Sequence, residues 1–250
     1  MVIEADSSIL VAVFAIFFFA GAVKGVLGFG LPIITMSMLP FVMPIEKAIA
    51  LSAVVQPATN VFQWISAGQI KASIELAWPV LITLAVGILV GSWYVTSLDS
   101  QTLILLVGLT IIVFSLMDLL GYRIPISSRF RLPAGLGFGF VAGVFGAFTA
   151  LNGWAFILYL LGIGTDRQLF RSTIALLFLV SGLLISSSFW LLGWLNYQVL
   201  LLSILALIAA FPGMWFGNQL GERLPAALFR RVILTALVCV GSILMFQGVA

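Results

Sequence analysis

The stretch Gly21-Ala-Val-Lys-Gly-Val-Leu-Gly-Phe-Gly30 decides the fold, because glycines interrupt an apolar run and Lys24 lies near the middle of that run. The glycine spacing returns 118 positions later, at Gly139, Gly143 and Gly146. A duplicated, broken helix with a cation at membrane depth is typical of a transporter. The sequence therefore predicts internal repeats and a polar site inside a membrane.

The composition requires a bilayer. Of the 250 residues, 63% are apolar and 8% are charged, and the mean hydropathy is +1.27, so a soluble domain could not bury this surface. Apolar stretches near the ~20 residues that cross a bilayer follow one another from Ser8 to Gln247. The pI of 9.4 is explained by the positive-inside bias of membrane proteins rather than by nucleic-acid binding. We expect a multi-pass protein of the cell inner membrane.

The beginning of the chain does not have the charge pattern of a cleavable signal peptide. The first eight residues contain Glu4 and Asp6 and no lysine or arginine, so a basic n-region is missing and the first apolar segment is expected to stay. The single cysteine, Cys239, cannot form an intramolecular disulfide.

The sequence pattern of the first half of the chain recurs in the second half. Residues 1–121 form the first predicted repeat and residues 134–250 the second, and a cytoplasmic linker at 122–133 joins them. Each repeat contains a segment broken by glycine or proline, Ser8 to Met43 or Leu132 to Ile163, and three longer helices. We place these helices at 45–67, 73–96, 101–121, 166–192, 196–220 and 225–247.

Loop charges indicate that the two repeats are inverted. If each broken segment is a hairpin with both ends on one side, each repeat makes an odd number of crossings. Lys71 and all eight arginines are then cytoplasmic, Lys47 alone is outside, and Lys24 stays in the membrane, as the positive-inside rule requires. If each broken segment instead crossed the membrane once, the distribution of the loop charges would violate the positive-inside rule. The predicted fold is an all-α polytopic membrane protein of two inverted repeats, each a Gly/Pro-broken helical hairpin plus three transmembrane helices, with both termini outside.

Lys24 is the centre of the predicted binding site. Gly25, Gly28, Gly30 and Pro32 follow it and free backbone amides, and a helix that restarts near Pro32 directs its positive N-terminal end to the same region. An ammonium beside exposed amides forms an anion site, to which Gly28 and Gly30 are assigned. The alternative is a lysine that snorkels to the interface or bonds the carbonyls of a neighbouring helix.

The second broken segment offers neutral groups. Ala142 takes the place of Lys24, and Thr149, Asn152 and Gly153 lie near the break. Neutral donors near a helix break suit the oxygens of a small oxyanion, so these three residues are assigned to the site. Hydrogen bonds that only hold the turn of the hairpin together are the alternative.

A polar stripe marks the helix at 45–67. Its members recur at three- and four-residue intervals and are Ser52, Gln56, Thr59, Asn60 and Gln63. Such a stripe avoids lipid, and it either lines a pathway or makes interhelical hydrogen bonds. We assign Gln56 and Asn60 to the site. Arg171 is assigned as well, facing a cytoplasmic vestibule, with a topology anchor as its alternative; Thr165 is predicted to cap the helix that contains it.

What the chain lacks narrows its chemistry. Without histidine, the usual Ser/His and Cys/His nucleophile pairs, HExxH metal sites and bis-His haem are excluded. A catalytic Ser/Lys pair that includes Lys24 is the nucleophilic arrangement that the sequence still allows. Carboxylates are absent from the centres of the predicted spans, so no conventional proton relay is expected. We expect a protein that is not an enzyme and holds neither metal nor cofactor.

Three strings of the sequence carry a family resemblance. They are Gly25-Val-Leu-Gly-Phe-Gly-Leu-Pro32, its degenerate repeat Gly143-Val-Phe-Gly146 leading to Asn152-Gly153, and the stretch from Gly217 to Leu224. Together they resemble the TauE/SafE sulfite exporter family over essentially the whole chain. The resemblance implies a membrane protein that moves sulfite, sulfonates and related organic sulfur anions.

The predicted function is a secondary transporter that exports a small sulfur oxyanion, such as sulfite or an organosulfonate, bound near the midplane between the two hairpins. The alternative is a non-transporting membrane scaffold or subunit, in which Lys24 only holds helices together. The expected partners are the small anionic substrate and the lipid bilayer, without nucleic acid. Whether the protein forms a homodimer is left open by the sequence.

Overall fold

The computed structural model describes residues 7–223 and 225–249; Glu4, Asp6 and both chain termini lie outside these ranges. The described residues form ten α-helices and no β-strand. The helices are α1 (Ser7–Leu27), α2 (Leu31–Met38), α3 (Ile45–Ala67), α4 (Ile70–Val95), α5 (Ser100–Leu119), α6 (Arg131–Thr149), α7 (Gly153–Gly162), α8 (Arg167–Leu191), α9 (Tyr197–Arg223) and α10 (Ala226–Val249).

Seven of the described helical segments are long and apolar enough to cross a membrane, those of α1, α4, α5, α6, α8, α9 and α10. The helix α3 is 23 residues long but falls outside this set, because its polar stripe interrupts the apolar run. The helices α2 and α7 are short and follow the two breaks. The prediction of an all-α polytopic membrane protein is confirmed.

The predicted helix bounds agree with the structure to within a few residues. The prediction 45–67 coincides with α3, and the prediction 166–192 exceeds α8 by one residue at each end. Arg131, counted with the linker in the sequence, already begins α6. Long apolar runs between polar or glycine-containing loops therefore fix the spans well.

The predicted cap of α8 is wrong. Asp166 is the N-cap residue, and its carboxylate accepts the backbone N–H groups of Gln168 at 2.9 Å and Leu169 at 3.0 Å. The Thr165 hydroxyl instead donates to the carbonyl of Leu160 at 2.9 Å, at the end of the preceding helix. A carboxylate at a helix N-terminus also interacts favourably with the helix dipole, which explains why the helix begins one residue later than predicted.

Two pairs of helices run parallel along seams of glycine. Between α1 and α9 the contacts join Phe18 with Gly213, Ala22 with Gly217 and Val26 with Gly221. Between α4 and α6 they join Val80 with Gly139, Leu84 with Gly143 and Val144 with Gly91. A methyl group at Gly217 would overlap the carbonyl oxygen of Ala22, so these backbones touch directly. The repeated glycines thus pack each half of the chain against the other.

The helices α3 and α8 lie side by side and run antiparallel. The Ser172 hydroxyl, in the second turn of α8, donates to the carbonyl of Gly68 just beyond the end of α3 at 2.6 Å. Farther along, Gly182 packs against the side chain of Gln56. The end of α3 therefore meets the beginning of α8.

The helices α5 and α10 are antiparallel as well. At one end the Arg230 Nε donates to Asp118 Oδ2 at 2.8 Å, and its Nη2 contacts Oδ1 of the same carboxylate. Farther along the pair, Gly108 contacts Gly241. This two-pronged ion pair joins the last helices of the two halves.

Candidate functional site

The first helix break lies between α1 and α2. Gly28 and Gly30 have φ angles of +82° and +110°, a left-handed region that favours glycine over other residues. Pro32 lies in the first turn of α2, where its missing N–H is no disadvantage. Gln63 of α3 holds the break, because its Nε2 donates to the carbonyl of Gly28 at 2.7 Å. The two predicted site glycines therefore form the turn itself.

Lys24 lies in the last turn of α1 and is 3% exposed. Its ammonium donates to Asn60 Oδ1 at 2.7 Å and to Thr59 Oγ1 at 3.2 Å. Both acceptors are neutral side chains of α3, and none of the ion pairs among the described residues involves Lys24. Lys24 does not snorkel to the surface, and its two acceptors, Thr59 and Asn60, are side chains rather than backbone carbonyls. The result is a buried amino group whose hydrogen-bond partners are neutral side chains.

The polar stripe of α3 faces the hairpin of α1 and α2. Ser52 and Thr35 share a hydrogen bond of 2.8 Å, Thr59 and Asn60 hold Lys24, and Gln63 holds Gly28. These members of the stripe make interhelical hydrogen bonds, the alternative that the sequence left open. The stripe thus fixes the depth of the hairpin beside α3.

Gln56 differs from the rest of the stripe. Its side chain is fully buried, and neither its amide nitrogen nor its amide oxygen has a hydrogen-bond partner. The next residue is Pro57, which lies inside α3 and has no N–H to offer the carbonyl of Ala53. Because buried polar groups are nearly always hydrogen-bonded, an orphaned amide in this position points to a missing partner.

The second break separates α6 from α7. Ala150 adopts a left-handed conformation with a φ of +55°, and Asn152 precedes the first turn of α7. The amide nitrogen of Asn152 donates to the Ser181 hydroxyl, whereas its buried amide oxygen has no partner. Thr149 is used within the turn: it donates to the carbonyl of Phe145 and accepts from the N–H of Leu151. Asn152 thus keeps an unused acceptor, while Thr149 does not project its hydroxyl away from the turn.

The two breaks face one another across a small cavity of about 30 Å³. Gly30 and Pro32 line it from the first break, and Leu151 and Gly153 line it from the second. Trp154 adds a buried indole N–H that has no hydrogen-bond partner. The volume suffices for about one water molecule, so the breaks approach closely in this conformation.

A much larger vestibule, of about 970 Å³, opens beside the first break. Gly28, Arg167, Arg171, Asn218 and Glu222 contribute to its lining. The Arg171 side chain approaches Gly28, which brings the predicted site residue on α8 to the turn after Lys24. The lining contains two guanidinium groups, of Arg167 and Arg171, and one carboxylate, of Glu222. The excess positive charge gives the vestibule a potential that attracts anions.

Several residues of this region were not assigned from the sequence. Arg167 and Asn218 line the vestibule, and Ser181 holds Asn152. The four-residue spacing of Arg167 and Arg171 on one helix face was a usable signal. Nothing in the sequence connects Asn218 or Ser181 with a break far away in the chain.

Comparison with known proteins fits this architecture. The family model described as "Sulfite exporter TauE/SafE" matches residues 13–244. The chain belongs to the TauE/SafE sulfite exporter family. No curated protein and no solved structure matches it.

Membership confirms the resemblance read from the glycine motifs. TauE/SafE proteins are transporters rather than enzymes, and the apolar helices make this member a multi-pass membrane protein. Within residues 7–223 and 225–249, no group of three or more His, Cys, Asp and Glu side chains could hold a metal ion.

Proposed function

We propose that this TauE/SafE protein is a secondary transporter that exports a small sulfur oxyanion, sulfite or an organosulfonate, bound between the two helix breaks. The observation that carries the proposal is Lys24, a buried ammonium whose partners are neutral. Burial of an unpaired charge in a membrane is costly, and such residues are usually functional. A bound anion would supply the missing counter-charge.

The roles of the other residues follow from their groups. Gly28 and Gly30 allow a ligand to approach the backbone at the start of α2, and Asn60 orients the ammonium. Gln56 and Gly153 are the neutral part of the proposed site near the breaks, and the unpartnered amide nitrogen of Gln56 can donate to the oxygens of an oxyanion. Asn152 and Thr149, whose donors are used by Ser181 and Phe145, shape the second break. Arg171 attracts the anion into the vestibule.

Helix directions support inverted repeats. The sequence makes α8 the counterpart of α3 and α10 the counterpart of α5, and both pairs lie side by side and run antiparallel. A two-fold axis in the membrane plane produces this arrangement. With the arginines inside, the vestibule opens to the cytoplasm, which is the side from which an exporter takes its substrate.

A scaffold without transport activity is the second candidate. The hydrogen bonds from Lys24 to Thr59 and Asn60 favour it, because they join α1 to α3 without any ligand. In that case the chain would bind no sulfur anion.

Ligand-dependent thermal stability distinguishes the two candidates. The purified protein in neutral detergent is heated with sulfite, thiosulfate, taurine, sulfoacetate or sulfate at matched ionic strength. A ligand that binds only the folded state at 100 times its Kd stabilises it by about 2.7 kcal/mol. We expect a saturable rise in Tm with at least one sulfur anion. No rise with any of them favours the scaffold.

A further inference from the structure

A second groove lies apart from the proposed transport site. It has a volume of about 580 Å³ and is formed where α4, α6 and α8 begin. Its lining shares no residue with the vestibule beside Gly28.

The groove is amphipathic. Arg131 provides an exposed guanidinium and Ser128 an exposed hydroxyl, while the buried Tyr159 donates its hydroxyl to the Arg131 carbonyl at 3.4 Å. Leu132 and Trp78, 47% and 48% exposed, add apolar surface beside these polar groups.

The carboxylate in the groove lining does not neutralise the positive charge of Arg131. Glu75, the carboxylate in the lining, lies 3.9 Å from the ammonium of Lys71. The Lys71 charge offsets that of Glu75, so Arg131 keeps the groove attractive to an anion. The groove therefore combines a cationic end with apolar walls.

The repeat provides an internal comparison. With the spacing of 118 that relates the glycine motifs, the counterpart of Arg131 is Val13 and that of Ser128 is Leu10. Val13 is fully buried. The architecture of a repeat therefore does not require a cation or a hydroxyl at these positions.

We propose that this groove binds an anionic phospholipid, with the phosphate at Arg131 and Ser128 and an acyl chain along Trp78 and Leu132. Tryptophan is enriched at membrane interfaces, and basic pockets between transmembrane helices bind lipid phosphates. A soluble phosphate would use the cationic end alone and leave the exposed apolar wall without a partner.

Fluorescence quenching tests this proposal in the full-length protein. Brominated phosphatidylglycerol or brominated phosphatidylcholine is added to the protein in neutral detergent. We expect phosphatidylglycerol to quench at several-fold lower concentration than phosphatidylcholine. The Arg131→Gln variant should lose this preference, and the matched variant Arg123→Gln, in the linker outside the groove lining, should keep it.

A second variant locates the bound lipid without changing any charge. Trp78→Phe should remove the part of the quenching that depends on the lipid headgroup. Equal quenching by the two lipids, or a preference that survives in Trp78→Phe or in folded Arg131→Gln, would overturn the proposal. Displacement of the lipid by glycerol 3-phosphate or inorganic phosphate at similar concentrations would overturn it too, since the ligand would then be a soluble phosphate.

Discussion

Replacement of Lys24 by methionine separates a binding role from a structural one. A lysine within a span costs up to about 2.5 to 3.5 kcal/mol on insertion scales, and this cost disappears in Lys24→Met. The variant leaves Asn60 Oδ1 without its 2.7 Å donor and Thr59 without its 3.2 Å donor, which costs about 1 to 3 kcal/mol. The two effects oppose one another, so we expect the free energy of unfolding to change by no more than about 2.5 kcal/mol, more often as a gain than as a loss.

Binding should respond very differently. At 100 times the Kd, the ligand stabilises the wild type by about 2.7 kcal/mol, and the Lys24→Met variant should lose this stabilisation together with transport. Both are measured by thermal unfolding with and without the sulfur anion, and by efflux from proteoliposomes. Lys24→Arg should be impaired too, because a planar guanidinium needs a different cavity from a compact ammonium.

The matched control is Lys71→Met, which removes the same group from a side chain that is 91% exposed. It should bind and transport like the wild type. A Lys24→Met variant with near wild-type transport and unchanged apparent affinity would refute the reasoning, because the lysine would then be structural.

Three further predictions concern topology, driving force and the neutral part of the site. In a background without Cys239, an impermeant thiol reagent outside intact cells should label a cysteine at Lys47 and not one at Ser127; label at 127 alone would reverse the orientation. A monoanion leaving a cell that is negative inside gains about 2.3 kcal/mol per 100 mV, so an imposed potential should drive net efflux from proteoliposomes at equal pH. Efflux that ignores voltage and follows only a pH gradient would reject this mechanism. Gln56→Met removes a buried amide without a partner and should stabilise the protein by about 1 to 3 kcal/mol while weakening binding less than Lys24→Met does; a lower Tm would mean that Gln56 is hydrogen-bonded.

The spans and the breaks could be predicted from the sequence for local reasons. An apolar run of fixed length determines a span, so the prediction 166–192 exceeds α8 by only one residue at each end. The first break could be predicted because Gly25, Gly28, Gly30 and Pro32 interrupt the apolar run, and the structure places Gly28 and Gly30 in the left-handed region that favours glycine.

The partners of the site residues could not be predicted in this way. The stripe of α3 gave a polar face, but periodicity does not reveal which helix covers it, and the bonds from Lys24 to Asn60 and from Gln63 to Gly28 are tertiary contacts. The vestibule depends on α9 packing against α1, a pairing between distant parts of the chain. Asp166 was missed as the cap because Thr165, one position earlier, is also a good capping residue.

Efflux from proteoliposomes tests the central claim most directly. Vesicles that contain the wild-type protein are loaded with sulfite, taurine or sulfoacetate, diluted into buffer without the anion, and compared with protein-free vesicles. The account predicts that at least one sulfur anion leaves faster through the protein, with a rate that saturates at high concentration. Equal efflux of every anion from both kinds of vesicle, with the protein folded, would contradict the claim that the chain is a sulfur oxyanion transporter.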